Sequence, residues 1–213
     1  MKVKKFPQSC LLFNIGNQKI LIDPGNTKFE DKFTSEWKIA DAILITHKHG
    51  DHCKVDTIAE LGIPVYSCAE VAQVHPSLKV NIVRQGKTFT LGNVKIEVTH
   101  ATHGFRPSMK GTTNEVLETI GFILDDGKTR AYITGDTICF NNDYSADYIF
   151  APAQGNCVTM DALGCALFTK MIGAKKLFVV HFDFYELPQN TADILTAQEI
   201  DFEIMQNGKE YVI

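Results

Sequence analysis

The sequence predicts an α/β protein in which mixed β-sheet structure carries its helices on the outside. Three observations lead there. Short apolar runs rich in β-branched residues recur along the whole chain. Turn dipeptides separate several of these runs, as in hairpins. Segments with helical apolar spacing fall between the later runs, as when strands alternate with crossover helices.

In chain order, Leu11–Ile15 and Lys19–Ile22 flank Asn17-Gln18, a hairpin signature. Lys2, Lys4 and Lys5 precede them as before an export signal. The apolar stretch from Cys10 is short and broken by Asn14, so it reads as a first strand. Ala42–Ile45 reads as a buried strand, and Pro64–Tyr66 and Lys79–Val83 as short ones. Val55–Leu61 and Ala69–Val74 between them have helical patterns. Gly92-Asn93 opens Val94–Val98, and Asp126-Gly127 joins Ile120–Leu124 to Arg130–Ile133. Tyr148–Ala151 and Leu177–Val180 enclose a helix at Asp161–Ile172, which stops at Gly173 and has an N-cap region in Thr159-Met160-Asp161. Its expected buried face is Leu163, Ala166, Leu167, Met171 and Ile172. Ala192–Glu199 is the last expected helix.

No linker, charge run or repeat divides the 213 residues, so residues 1–213 are expected to form one domain. A chain that is 45% hydrophobic and 22% charged is an ordinary globular composition. The net charge of −4 gives no footprint for bulk nucleic-acid binding. No run approaches the ~18 apolar residues of a membrane span. The six cysteines (10, 53, 68, 139, 157 and 165) form no C-x-x-C pair, which fits reduced thiols and a cytoplasmic location.

Five of the seven histidines lie in tight clusters. The densest is Asp41-Ala-Ile-Leu-Ile-Thr-His47-Lys-His49-Gly-Asp51-His52, where four ligand-type side chains follow a strand within six residues. Neither a strand nor a surface helix aims four such groups at one point, but a loop leaving a sheet edge can wrap them around a centre. Imidazole with carboxylate suits zinc, with iron or manganese as alternatives.

His47-x-His49-x-Asp51-His52 resembles the H-x-H-x-D-H signature of the metallo-β-lactamase superfamily. Ile20-Leu-Ile-Asp23-Pro24-Gly25 resembles that superfamily's early strand ending in Asp. Thr99-His100-Ala-Thr-His103-Gly104, Thr134-Gly135-Asp136-Thr137 and Val179-Val180-His181 resemble its later histidine, G-D-T and final histidine motifs, in the same order. The resemblance implies a four-layer αββα sandwich of two mixed sheets flanked by helices. It implies two adjacent divalent metal ions, zinc first and Mn²⁺ or Fe²⁺ as alternatives. His47, His49 and His103 would hold one, Asp51, His52 and His181 the other, and Asp136 would bridge them. His100 competes with His103 for the third place on the first metal. Asp23 is expected beside the metal loop.

Within the superfamily, His49 stands where the diiron flavoprotein branch has Glu, and Asp136 is present where true β-lactamases lack a bridging aspartate. The length leaves no room for the nucleases' inserted domain or the glyoxalase-type helical domain. What remains resembles the compact branch of L-ascorbate-6-phosphate lactonase-like, N-acyl-phosphatidylethanolamine phospholipase D-like and other small metal-dependent hydrolases. The chain departs from these in having Val179-Val180 where relatives often have Pro-Met. It also lacks their Gly-His-Ser/Ala near the N-terminus.

The activity implied is hydrolysis of an ester, lactone or phosphodiester bond of a small substrate by a bridging hydroxide. Asp51 would orient the hydroxide and accept a proton, and His100 is a candidate general acid. Specificity is expected in Asn26–Trp37, Phe105–Leu117 and Phe182–Pro188. Arg106 and Lys110 are candidates for gripping an anionic substrate, and Phe105, Phe182, Phe184 and Tyr185 for lining the pocket. The competing readings are a metal-binding sensor without turnover and a nucleotide phosphodiesterase.

Overall fold

The computed structural model describes residues 1–213. Two seven-stranded mixed sheets face one another with helices outside them, the architecture the family resemblance implied. The first sheet begins with the meander β1 (Lys2–Lys5), β2 (Leu11–Ile15) and β3 (Gln18–Ile22), each antiparallel to the next. It continues with parallel strands β4 (Ala42–Leu44), β5 (Val65–Ser67) and β6 (Val80–Ile82). Helices α1 (Lys32–Trp37), α2 (Val55–Leu61) and α3 (Ala69–Val74) connect these later strands.

The second sheet repeats the scheme. An antiparallel series β7 (Thr88–Leu91), β8 (Val94–His100), β9 (Ile120–Asp125) and β10 (Arg130–Ile133) leads into parallel β11 (Tyr148–Pro152), β12 (Lys176–Val180) and β13 (Phe202–Ile204). Helices α4 (Ala162–Ile172) and α5 (Thr191–Ala197) connect its last strands, and β14 (Glu210–Val212) crosses back to pair with β1. No helix is long and apolar enough to cross a membrane.

Successive strand residues point to opposite faces, and the second sheet shows this plainly. Phe122, Leu124, Phe150, Phe178 and Val180 join the core between the sheets, while Ile123, Ile149, Ala151, Leu177 and Val179 pack under α4. Phe13 meets Phe150 edge to face across the sandwich, with ring centroids 5.2 Å apart.

The face of α4 differs from expectation. Ala162, Cys165, Ala166, Phe168, Thr169 and Ile172 are buried, whereas Leu163, Leu167 and Met171 are exposed. The helix is apolar on more than one side. Turning Phe168 inward with small neighbours buries the largest ring while keeping the helix close to the sheet. The capping expectation holds: the Asp161 carboxylate accepts from Gly164 N at 2.7 Å, and Gly173 takes the left-handed C-cap. The expected specificity loop at Asn26–Trp37 is a loop only in its first part. Its end is α1, whose Phe33 and Trp37 pack against Phe6.

Candidate metal centre

The chain delivers its polar residues to one edge of the sandwich because parallel strands end there together. The His47–His52 loop leaves β4, His103 follows β8, Asp136 follows β10 and His181 follows β12. Crevices at the carboxyl ends of strands are the usual binding places of open α/β sheets. All seven side chains named from the resemblance meet at this edge. Their ligand-type atoms form three overlapping groups: His47, His49 and His103; His47, His52 and Asp136; and Asp51, His52 and His181. Within each group the atoms lie within 4.8 Å of one another.

Asp136 sits between the two halves. Its Oδ1 is 3.3 Å from His52 Nε2 and its Oδ2 is 3.1 Å from His181 Nε2. Asp51 Oδ2 lies 3.4 Å from His181 Nε2. Burial disfavours charge on His52 and His181, but the surrounding carboxylates outweigh it. They hold His52 well above the ordinary imidazole range and His181 at about 9. Burial would raise both carboxyls, yet the same imidazoles push Asp51 and Asp136 well down. His47, where burial dominates, is pushed down and stays neutral.

Each imidazole is oriented by its neighbours. Asp23 is fully buried at φ +45°, and its Oδ1 accepts from Thr46 N at 2.8 Å. Its Oδ2 accepts from the Thr46 hydroxyl and from His52 Nδ1, both at 2.8 Å. The Thr46 hydroxyl gives its one hydrogen to Asp23, so it accepts from His47 Nδ1 at 3.1 Å. His103 Nδ1 donates to Gly104 O at 2.7 Å, and His49 Nε2 donates to Asn114 O at 3.0 Å. This arrangement aims Nε2 of His47, His52 and His103, and Nδ1 of His49, at the centre, and His52 offers its lone pair there once the proton held by the surrounding carboxylates is released.

The buried Nε2 atoms of His52 and His103 and Oδ1 of Asp136 have no hydrogen-bond partner. Buried polar atoms are nearly always satisfied, and these orphans converge from nitrogen and carboxylate donors. The donor set fits divalent cations of the zinc type, with the orienting partners that such ligands usually have.

Two residues the sequence did not single out complete the surroundings. Gln8 is buried at φ +62°, and its Oε1 accepts from the N–H groups of Asp183 and Phe184 at 3.1 and 3.2 Å. That fixes the amide so that Nε2 faces Asp51 Oδ2 and His181 Nε2, both at 2.9 Å. No pattern in the sequence marks this glutamine, which stands alone between Pro7 and Ser9. Glu70 pairs with Lys48 at 2.9 Å and accepts from Leu117 N and Glu118 N, which staples the Phe105–Leu117 loop to the metal loop. Gly25 permits the close approach of the Asp23 turn, because a Cβ there would lie 1.8 Å from Asp51 O.

His100 is placed elsewhere. Strand β8 extends to His100, which pairs with Ile120, and its ring nitrogens face Gln85 and Thr102 at 2.8 and 2.9 Å. It does not line the cleft above the centre, so nothing in its position suits a general acid. The cleft encloses about 450 Å³, and its walls include Asn26, Arg106, Phe184 and Tyr185. Phe105, Phe182 and Lys110 are not among its walls. Cys53, beside His52, is a buried thiol pushed up to about 12 by desolvation.

Two facing mixed sheets with histidines and carboxylates gathered at their shared edge define a class of fold and site. Residues 2–181 match the family model described as the beta-lactamase superfamily domain, and the chain belongs to the metallo-β-lactamase superfamily. It is 30% identical over 208 residues to a protein named a metal-dependent hydrolase from Roseobacter denitrificans, covering 90% of each chain. Among solved structures it is similar to a metallo hydrolase from Ignicoccus hospitalis, with TM-score 0.79, 22% identity and 99% and 97% of the two chains covered. It is also similar to a metallo-β-lactamase fold protein from Bacillus subtilis, with TM-score 0.74, 18% identity and 99% and 98% covered.

Proposed function

We propose that the protein is a metal-dependent hydrolase with a dinuclear centre, loaded in the first instance with zinc. It would cleave an ester, lactone or phosphodiester bond of a small, negatively charged substrate in the cytoplasm, with residues 1–213 acting as one domain. The observation that carries this reading is the sharing of His47 and His52 among three ligand groups, with Asp136 between the halves. His47, His49 and His103 would hold the first ion, Asp51, His52 and His181 the second, and Asp136 would bridge.

Bound divalent ions would supply hydroxide near neutral pH and polarise the oxygen of the bond under attack. The chain's own residues do the rest. Asp23 keeps His52 and, through Thr46, His47 in the tautomers that leave Nε2 free. Asp51 is the carboxylate placed to orient the attacking water and take its proton. Its Oδ2 faces Nε2 of His52 at 3.7 Å and Nε2 of His181 at 3.4 Å. Gln8 Nε2 donates to the same Asp51 oxygen at 2.9 Å and anchors it. Phe184 and Tyr185 form an exposed aromatic wall of the cleft.

The test is metal analysis with a panel of phosphodiester, lactone and ester substrates in Zn²⁺ or Mn²⁺. Metal-dependent turnover of one class, lost in His49→Ala and Asp136→Ala together with metal, supports the proposal. Tight metal binding with no turnover across the panel supports a sensor instead. Unchanged hydrolysis by a metal-free Asp136→Ala protein refutes the mechanism.

A further inference from the structure

We infer that Arg106 anchors the negatively charged group of the substrate. The cleft would then take small molecules with a carboxylate or phosphate group only a few bonds from the bond that is cleaved. The inference rests on the cleft being the hydrolytic site.

The first ground is the state of the guanidinium. Arg106 is half-buried in the cleft wall and makes no ion pair, in contrast to Arg130, which Glu97 and Asp125 hold at 2.9 and 2.8 Å. Its Nε donates to Asn156 O at 2.7 Å. That bond fixes the plane of the group while both terminal nitrogens remain without a protein partner. A planar fork held at its root and free at its tips suits two-point binding of carboxylate or phosphate.

Its position is the second ground. Gly104 N donates to Val158 O at 2.9 Å, and a Cβ on Gly104 would lie 2.0 Å from Cys157 O. The chain between His103 and Arg106 is therefore pinned against the Cys157–Val158 segment. Arg106 lines the same cleft as His49, Asp51, His103, Asp136 and His181, so its guanidinium and the metal centre face one small-molecule-sized space. Tyr185 faces it with its ring centroid 6.0 Å from Cζ, and Phe184 packs edge to face on Tyr185 at 4.7 Å. The anion site thus has an aromatic wall, and Arg106 is the only Lys or Arg side chain lining the cleft.

The third ground is electrostatic. The carboxylates lining the cleft are Asp51 and Asp136, which repel an anion until cations lie among them. Arg106 therefore adds to a field that becomes positive only on metal loading, and anion binding should be cooperative with metal binding.

The experiment titrates zinc-loaded protein calorimetrically with benzoate, phenyl phosphate and the neutral isostere benzamide. Expected are binding of at least one anion, none of benzamide, and a loss of about tenfold or more in Arg106→Gln. Arg106→Lys should recover only part of the affinity, because an ammonium has no fork. Comparison of the two anions separates a carboxylate site from a phosphate site. Anion binding by Arg106→Gln as tight as wild type, or an equal loss in Lys110→Gln, overturns the inference. Zinc content measured on the same samples keeps the two readings apart. Absence of metal defeats the hydrolase reading, and Arg106-independent binding in fully loaded protein defeats the anchor.

Discussion

Asp23→Asn is the perturbation most revealing of how the centre is built. Thr46 N donates to Oδ1 at 2.8 Å, so an asparagine keeps its carbonyl there and turns Nδ2 toward His52 Nδ1 and the Thr46 hydroxyl. A donor then meets a donor, and His52 must move its proton to Nε2, the atom that faces the centre. The Thr46 hydroxyl, now accepting from the amide, sends its hydrogen to His47 Nδ1 and forces the same tautomer change in His47. One substitution of equal shape therefore disables a nitrogen in each half. Asparagine tolerates the left-handed backbone found at φ +45°, so the turn itself is not strained. Loss of an orienting partner typically costs about 10–100-fold in metal affinity, or roughly 1.4–2.7 kcal/mol per site. The assay is zinc affinity by chelator competition, with far-UV circular dichroism to show that the fold persists. Affinities within about twofold of wild type at both sites would refute the reasoning, because twofold is well below that range.

The remaining predictions concern the same centre. Gln8→Leu leaves the N–H groups of Asp183 and Phe184 without an acceptor and removes the tether on Asp51. Denaturant unfolding should show a loss of about 2–4 kcal/mol; a change under about 0.5 kcal/mol, ordinary for a surface site, contradicts it. Chelation should lower the melting temperature by about 5–10 °C if metal is present at ~100 times its dissociation constant, and added zinc should restore it. In metal-free protein His181 is raised from 6.5 to about 9. Its contribution to stability is therefore full below pH 6.5 and lost as pH rises through 9. Metal affinity should rise over the same interval as the bound proton is released, and potentiometric zinc titration measures that release.

What the sequence made legible follows burial. Ile20–Ile22 and Ala42–Leu44 are buried apolar runs next to each other in the first sheet, and their pattern is unambiguous. The strand β1 reads Lys-Val-Lys-Lys, and no pattern announces that Lys5 is buried against Asp183, 178 residues away. Strands β7, β13 and β14 are short and partly exposed, so periodicity is weak there. Helix α1 has no side-chain cap and only Phe33 and Trp37 inside. Of the seven clustered side chains, His47, His49, Asp51 and His52 were legible from their types and spacing, whereas His103, Asp136 and His181 were expected only through the family resemblance. Gln8 was not, since a lone glutamine has no signature until the fold brings it to His181. The His100 and His103 alternatives turned on where β8 ends. Because it runs to His100, strand pairing holds that residue, and His103 lies in the loop that reaches the centre.

The most direct test of the account is the metal stoichiometry of the wild-type chain. Protein stripped by chelation is titrated with Zn²⁺, and bound metal is counted by elemental analysis alongside hydrolysis of the substrate class found in the panel. Two ions per chain are expected, with turnover appearing as the sites fill. One ion per chain, none, or turnover that persists in stripped protein contradicts it.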